Sequence, residues 1–212
     1  MIKAVLMDYQ GVIVDDSAFE IFSIESTCRR LGLPHDVTIY EQFFAGKPLR
    51  VAASNYLTFS HRSELLDEFT ALKNMFEAEY VEHIDIFPDA LFFMDRMKVK
   101  HQVAIASFAD RGRIEQTVRK AHRGHVIDLI VAAGEFPVNK YETALQHLKL
   151  MPEEAVAIED SPFGIKYARA ASIPSIAITR THPREELSEA TVVVDSFDEI
   201  TDELLEGLIA SE

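Results

Sequence analysis

The chain has 212 residues, 48% of them hydrophobic, which is enough for one core and a small second domain but not for two full-sized domains. Its formal net charge is −14, so most of its surface would repel nucleic-acid phosphates and anionic membranes, and we predict neither as a partner. Cys28 is the single cysteine, which excludes an intrachain disulfide and favours a reducing compartment. The first residues read as neither a signal peptide nor a membrane anchor, so we expect a cytoplasmic protein, its oligomeric state open.

Short apolar runs rich in valine, isoleucine and alanine recur along the chain and predict strands near residues 3–8, 102–107, 127–133, 155–160, 175–179 and 190–195. Most are separated by stretches with helical spacing, an alternation typical of a parallel sheet covered by helices. Residues 15–84 interrupt this rhythm. Their apolar residues repeat every three or four positions, as in Ile21, Ile24 and Cys28, so we predict amphipathic helices there.

Polar side chains directly follow three of these predicted strands. Asp8 ends the first strand, Ser107 the second, and Glu159 with Asp160 the fourth. Because parallel strands end at one edge of a sheet, we expect these groups to lie in the crevice there. Adjacent carboxylates repel each other unless a cation joins them, so Glu159 and Asp160 indicate a metal site. Ser107 is a helix N-cap or an anion ligand, and the two functions are compatible because a capped helix N-terminus also attracts anions. Residues 180–182 either line the site or are ordinary strand-end polar residues.

Three segments carry a resemblance to a known family. Residues 8–12 read D-Y-Q-G-V, residues 103–107 read V-A-I-A-S, and residues 158–165 read I-E-D-S-P-F-G-I. In this order they resemble motifs of the haloacid dehalogenase-like (HAD) phosphohydrolases, and the chain is most similar to their β-phosphoglucomutase-like branch. The resemblance implies an α/β fold, with a Rossmann-like parallel sheet core and a small α-helical cap domain. The implied domains are residues 1–14 and 85–212 for the core and residues 15–84 for the cap.

The resemblance also implies a Mg²⁺ site at the strand ends. In the family, the second carboxylate of the fourth motif binds Mg²⁺ directly and the first supports the surrounding water, which assigns these functions to Asp160 and Glu159. Asp8 would be a further ligand through its carboxylate. Gln10 would be a ligand through its backbone carbonyl, which glutamine keeps although the family pattern D-x-D-G has aspartate there.

The implied chemistry is the transfer of a phosphoryl group. Asp8 would be the nucleophile that forms an aspartyl-phosphate. Ser107 would bind the phosphoryl oxygens, and Gly11 would be a further substrate-binding residue. The substrate would be a small phosphorylated metabolite.

The lysine of the third family motif is displaced in this chain. When Tyr141 is aligned with the aromatic residue of the family pattern, the lysine position holds Glu135, and Lys140 stands five places later. Lys140 begins a helical pattern, where a cation is unfavourable unless it has a partner. Two interpretations stay open: Lys140 turns into the site as a catalytic and phosphoryl-binding residue, or it is a surface lysine of the first helical turn.

Gln10 leaves three functions open. The aspartate that it replaces is the general acid-base group of family phosphatases, and losing such a group costs on the order of a hundred- to ten-thousand-fold in rate. We therefore predict a slow Mg²⁺-dependent phosphatase. The alternatives are a catalytically silent homologue that binds phosphate and metal, or another activity of the superfamily. Phosphonate cleavage would need a cap lysine, for which Lys47 is a loose candidate, and haloacid cleavage would not need the paired acids.

Overall fold

The computed structural model describes residues 1–45, 47–80 and 83–208 of the chain. Residues 46, 81–82 and 209–212, which belong to the predicted domains, lie outside the described residues. The chain divides into two compact units, one formed by Met1–Asp15 with Asp85–Glu212 and the other by Asp16–Ile84. No helix in the described ranges combines the length and the apolar character that crossing a membrane requires.

The first unit is built on a parallel sheet. The strands of the described residues are β1 (Ala4–Met7), β2 (Val14–Asp15), β3 (Asp85–Ile86), β4 (Gln102–Ala106), β5 (Leu129–Val131), β6 (Ala155–Glu159), β7 (Ser175–Ile178) and β8 (Val192–Val194). Six of them form one sheet in the order β5-β4-β1-β6-β7-β8, with every neighbouring pair parallel. The predicted α/β fold and its six strands are confirmed. The antiparallel ribbon β2–β3 was not predicted, because two residues per strand leave no readable alternation.

Helices join the strands and fill the second unit. They are α1 (Ser17–Leu31), α2 (Val37–Ile39), α3 (Leu49–Phe59), α4 (Leu66–Tyr80), α5 (Pro88–Lys98), α6 (Arg111–Lys120), α7 (Lys140–Leu148), α8 (Pro162–Ala170) and α9 (Asp202–Gly207). Helix α8 begins as its sequence predicts, because the Ser161 hydroxyl accepts a hydrogen bond from the backbone N–H of Gly164 and Pro162 occupies the first helical position.

The two faces of the sheet bury different side chains. Successive residues of a strand point to opposite faces, so Ala4 and Leu6 of β1 share one face with Ala155 and Ala157 of β6. Helices α7 and α8 pack on that face, where small alanines let the bulky Tyr141 approach the sheet. The opposite face is buried as well, which is why the strands are apolar throughout.

The described residues of the second unit form helices joined by turns and loops, with no strand among them, as predicted, and the unit has its own core. Buried aromatic rings form its centre, with Tyr56 and Phe69 6.1 Å apart between ring centroids. Cys28 lies in this core, and burial raises the pKa of its thiol to about 11, so it is a packing residue and not a nucleophile. Asp15 belongs to the first unit, because it pairs with Asp85 in the ribbon. That the helical unit serves as a cap stays a prediction.

Candidate active site

Three carboxylates meet at the carboxyl ends of β1 and β6. The register pairs Met7 with Ile158, so the next residues, Asp8 and Glu159, stand side by side. Strand alternation points both side chains toward the face that α7 and α8 cover. One carboxylate oxygen from each of Asp8, Glu159 and Asp160 lies within 4.8 Å of the others. The structure therefore brings the predicted acidic residues together at one point.

Lys140 lies inside this cluster. Its side chain is 1% exposed, and its Nζ donates to Oδ1 of Asp8 and lies 2.9 Å from Oε1 of Glu159, the same distance as to Asp8. Asn139 caps α7 by accepting a hydrogen bond from the backbone N–H of Tyr141, and this cap makes Lys140 the first helical residue. Of the two interpretations left open by the sequence, the structure excludes the surface lysine.

The position at which the family alignment expected the lysine lies elsewhere. Glu135 is partly exposed and forms a two-pronged ion pair with Arg111, and its carboxylate also accepts from the backbone N–H of Ala132 at 3.0 Å. Arg111 in turn donates to the carbonyl of Ile130 at 2.8 Å, on the edge strand of the sheet. These contacts hold Glu135 at the edge of the sheet. The lysine that enters the site is Lys140, five residues later in the chain.

Tyr141 is a site residue that the sequence motifs do not identify as one. Its hydroxyl is completely buried and donates to Oε1 of Glu159 at 2.5 Å. Oε1 of Glu159 thus faces both Lys140 and Tyr141, whereas Oε2 is buried with no hydrogen-bond partner among the described residues. A tyrosine in an otherwise apolar helix face was the available signal, since a buried phenol needs a polar partner.

Burial and mutual repulsion make the ionised forms of the three carboxylates unfavourable when no metal ion is bound. Burial raises the pKa of Glu159 to about 7, against the lowering influence of Lys140. Burial, and then the charges of Glu159 and Asp8, raise the pKa of Asp160 well above its usual range. Lys140 stays charged, because the carboxylates of Asp8 and Glu159 outweigh the desolvation that would lower its pKa. One lysine thus faces three carboxylates.

The cluster fits a small, hard divalent cation. Its donors are carboxylate oxygens, the ligands that Mg²⁺ prefers. Two of the three carboxylates are almost completely buried, and Glu159 keeps an unpartnered oxygen. The two positive charges of such a cation, added to that of Lys140, would balance the three carboxylates and stabilise their ionised forms.

The turn after β1 brings a backbone segment against Asp160. Gly11 has φ +69°, and a Cβ built on it would lie 1.9 Å from Oδ2 of Asp160. A side chain at residue 11 is therefore excluded both by conformation and by contact. Gln10 precedes it, is half-buried and forms an isolated bridge with Val14. A ligand function of the Gln10 carbonyl and a substrate-binding function of Gly11 stay predictions.

Ser107 directly follows β4 and lies one residue beyond the position level with Asp8. Its side chain is almost completely buried. Its hydroxyl oxygen accepts from the backbone N–H of Ala109 at 3.1 Å. The interpretation of Ser107 as the N-cap of the next helix is wrong, because Asp110 caps α6 by accepting from Gly112 at 2.8 Å. The prediction that Ser107 binds an anion stays open.

The close contact between α8 and Glu159 gives a testable prediction. A Cβ built on Gly164 would lie 1.9 to 2.1 Å from the Glu159 carboxylate. Helix propensity alone would make Gly164→Ala more stable by about 1 kcal/mol. We expect the opposite, a loss of about 1–3 kcal/mol in the free energy of unfolding, because the carboxylate must move in a packed interior.

Denaturant unfolding of Gly164→Ala beside Gly207→Ala measures this effect. Gly207 is also a helical glycine, in α9, and a Cβ there would contact nothing within 4 Å, which makes it a matched control. Equal stability of the two variants would contradict the contact. Activity of Gly164→Ala should fall as well, since Glu159 also lies against Lys140.

The raised pKa of Glu159 predicts a pH-dependent response to magnesium. Folded Glu159 keeps its proton up to about pH 7, whereas an ordinary glutamate releases it near 4.5. The cation-free protein therefore loses stability through this group as pH rises from about 4.5 through about 7, because the folded state binds more protons in that window. Mg²⁺ should raise Tm more near pH 7.5 than near about pH 5.5.

Thermal unfolding with and without MgCl₂ at both pH values checks this expectation. The matched control is Glu159→Gln, which removes the titration of Glu159 and should reduce the difference between the two pH values, leaving the part that comes from the raised pKa of Asp160. An equal shift of Tm by Mg²⁺ at both pH values in the unmodified chain would contradict the prediction.

A model of the haloacid dehalogenase-like hydrolase family matches residues 5–178. The chain therefore belongs to this hydrolase family, which confirms the family predicted from its motifs. The match includes the ends of β1, β4 and β6 and the start of α7, so every residue of the acidic cluster and Lys140 lie within it.

Two relatives are similar over nearly their whole length. Validoxylamine A 7′-phosphate phosphatase of Streptomyces hygroscopicus subsp. limoneus is 25% identical over 208 residues, covering 94% of this chain and 96% of that protein. Hexitol phosphatase A of Escherichia coli K12 is 27% identical over 205 residues, with coverages of 94% and 93%. Among solved structures, β-phosphoglucomutase of Clostridium difficile matches with a TM-score of 0.84 at 20% identity, covering 99% and 98% of the two chains. At that identity the likeness shows the fold.

Proposed function

We propose that the chain is a Mg²⁺-dependent phosphatase of small phosphorylated metabolites, with Asp8 as nucleophile. The observation that carries the proposal is the buried contact of Lys140 with Asp8 and Glu159, 2.9 Å from each, beside Asp160. A structural ion pair would need one carboxylate, whereas this arrangement gathers three with one cation at the crevice of the sheet. Such a cluster is costly unless it serves binding or catalysis.

In the proposed reaction an oxygen of Asp8 attacks phosphorus as the bond from phosphorus to the ester oxygen breaks, and the departing oxygen takes a proton from solvent water because Gln10 cannot give one. A water molecule then attacks the phosphorus of the aspartyl-phosphate, which releases inorganic phosphate and restores Asp8. Lys140 orients Asp8 and offsets the negative charge of the phosphoryl oxygens, with Ser107 as a further donor to them. Asp8, Asp160 and the Gln10 carbonyl would hold Mg²⁺, with Glu159 supporting them. When bound, the cation supplies a Lewis acid that lowers the repulsion between two anions.

Small phosphorylated polyols are the proposed substrate class. Two relatives that cover over nine-tenths of the chain are named as phosphatases of a phosphorylated validoxylamine and of hexitol phosphates. A hexitol is a polyol, and the other name specifies a phosphate at the 7′ position. The net charge of −14 gives no long-range attraction for an anion, so the local charge at the site must bind the phosphate.

Gln10 supports a second candidate function, a binding protein without turnover. An amide cannot transfer the proton that the leaving alcohol needs. The acidic cluster and Lys140 would then bind a phosphate and a cation but hydrolyse nothing. Phosphonate cleavage has less support, because Lys47 is exposed and donates to the carbonyl of Gln42 at 2.7 Å.

Release of inorganic phosphate separates the two candidates. The panel contains a hexitol phosphate, an aldose phosphate, phosphoglycolate and p-nitrophenyl phosphate, each with MgCl₂ and with EDTA. Magnesium-dependent release supports the phosphatase, with the hexitol phosphate expected to be the best substrate. No release, together with a rise in Tm on adding phosphate and MgCl₂, would establish the binding protein instead.

A further inference from the structure

Residues 180–182, which follow the end of β7 after one intervening residue, contact both loops that form the candidate site. Arg180 donates to the carbonyl of Val12 at 3.1 Å, in the turn that follows Asp8. Thr181 donates to Oδ2 of Asp160, and Nδ1 of His182 lies 3.1 Å from the Asp160 carbonyl oxygen. These contacts join β7 to the turn after β1 and to the end of β6, so the segment belongs to the site and is not ordinary strand-end polarity.

The Thr181 hydroxyl lies within hydrogen-bonding distance of two oxygens of Asp160. One is Oδ2 of the carboxylate, and the other is the backbone carbonyl oxygen at 3.2 Å. The carboxylate oxygen is the nearer acceptor and carries the larger negative charge, so it is the stronger partner of the hydroxyl. Nδ1 of His182 lies 2.9 Å from Oγ1 of Thr181, so the two side chains approach Asp160 together.

Asp160 is held on one side only. Its Oδ2 accepts the Thr181 hydroxyl and lies so close to Gly11 that no Cβ would fit there. Its Oδ1 accepts no hydrogen bond from the described part of the chain. The carboxylate is therefore clamped by one oxygen while the other stays available.

We propose that Thr181 is a positioning residue for the cation site, which holds Oδ2 of Asp160 so that Oδ1 is presented to Mg²⁺. The inference rests on the proposed function, since it deepens the binding of its cation. Without the hydroxyl the carboxylate can rotate, and its buried Oδ2 loses its donor. Outer-shell partners of this kind typically change metal affinity by about 10- to 100-fold.

Calorimetric titration with MgCl₂ alone tests the inference without relying on turnover. We expect Thr181→Val to weaken Mg²⁺ binding at least about tenfold and Thr181→Ser to stay within about threefold of the unmodified protein. Thr179→Val is the matched control, because Thr179 makes the same hydroxyl-to-carboxylate bond two residues earlier, to Asp195 at 2.6 Å, away from the acidic cluster. It should bind Mg²⁺ normally.

Thr181→Ser and Thr181→Ala form a second pair that differs by the hydroxyl alone and decides the question even if the valine variant does not fold. The positioning function would be overturned if Thr181→Val bound Mg²⁺ as tightly as the unmodified protein. It would also be overturned if the serine and alanine variants both did so. Either result would leave the proposed phosphatase intact. Absence of Mg²⁺ binding by the unmodified protein would overturn both.

Discussion

Asp8→Asn is expected to remove phosphate release almost completely, lowering kcat by at least about a thousandfold. The amide has nearly the shape of the carboxylate but is neutral and a very poor nucleophile. Lys140 would keep its contact with Glu159, so the geometry around the missing charge should survive. The loss of phosphate release would therefore reflect the missing nucleophile and not unfolding.

Stability provides the independent check on Asp8→Asn. The cluster contains three carboxylates and one lysine, so removing one negative charge relieves repulsion on the buried Asp160 and Glu159. The Tm without magnesium should match or exceed that of the unmodified protein. Asp198→Asn, the same change at an exposed position, is the control for charge alone. Release within tenfold of the unmodified rate would show that another group attacks phosphorus.

The parts of the fold and site that local pattern determines could be predicted from the sequence. Apolar runs bounded by polar residues placed all six strands of the sheet, because buried parallel strands are apolar on both faces. Asp8, Glu159 and Asp160 were recognisable because the polar residue after such a run lies at the carboxyl edge. Neither inference depended on knowing a distant contact.

Contacts between residues that are distant in the chain determine the features of the site that the sequence pattern left undecided. Whether Lys140 turned inward depended on carboxylates 132 and 19 residues away and on the Asn139 cap that starts α7. Likewise, the partners of Tyr141 and Thr181 lie on other elements, 18 and 21 residues away in the chain. Side-chain direction at a helix start or after a strand has no periodic signature, so the sequence left these functions open.

Gln10→Asp is expected to raise phosphatase activity by about a hundred- to ten-thousand-fold. Aspartate can give a proton to the leaving alcohol and then take one from the attacking water, which the amide cannot do. The turn that bears residue 10 is anchored by Gly11, whose backbone N–H donates to the carbonyl of Val14 at 2.9 Å, so the new carboxyl would enter an ordered loop. Steady-state kinetics on the ester panel measures the gain.

Gln10→Asn separates proton transfer from side-chain length. Asparagine has the length of aspartate but keeps the amide, so its activity should stay near that of the unmodified chain. A fourth carboxylate near Asp8 and Asp160 should also lower the Tm of Gln10→Asp without magnesium, and MgCl₂ should restore it. Equal rates for the aspartate and asparagine variants would mean that proton transfer at residue 10 does not limit this site. The binding function would then become the better account of why the acidic cluster and Lys140 are held together.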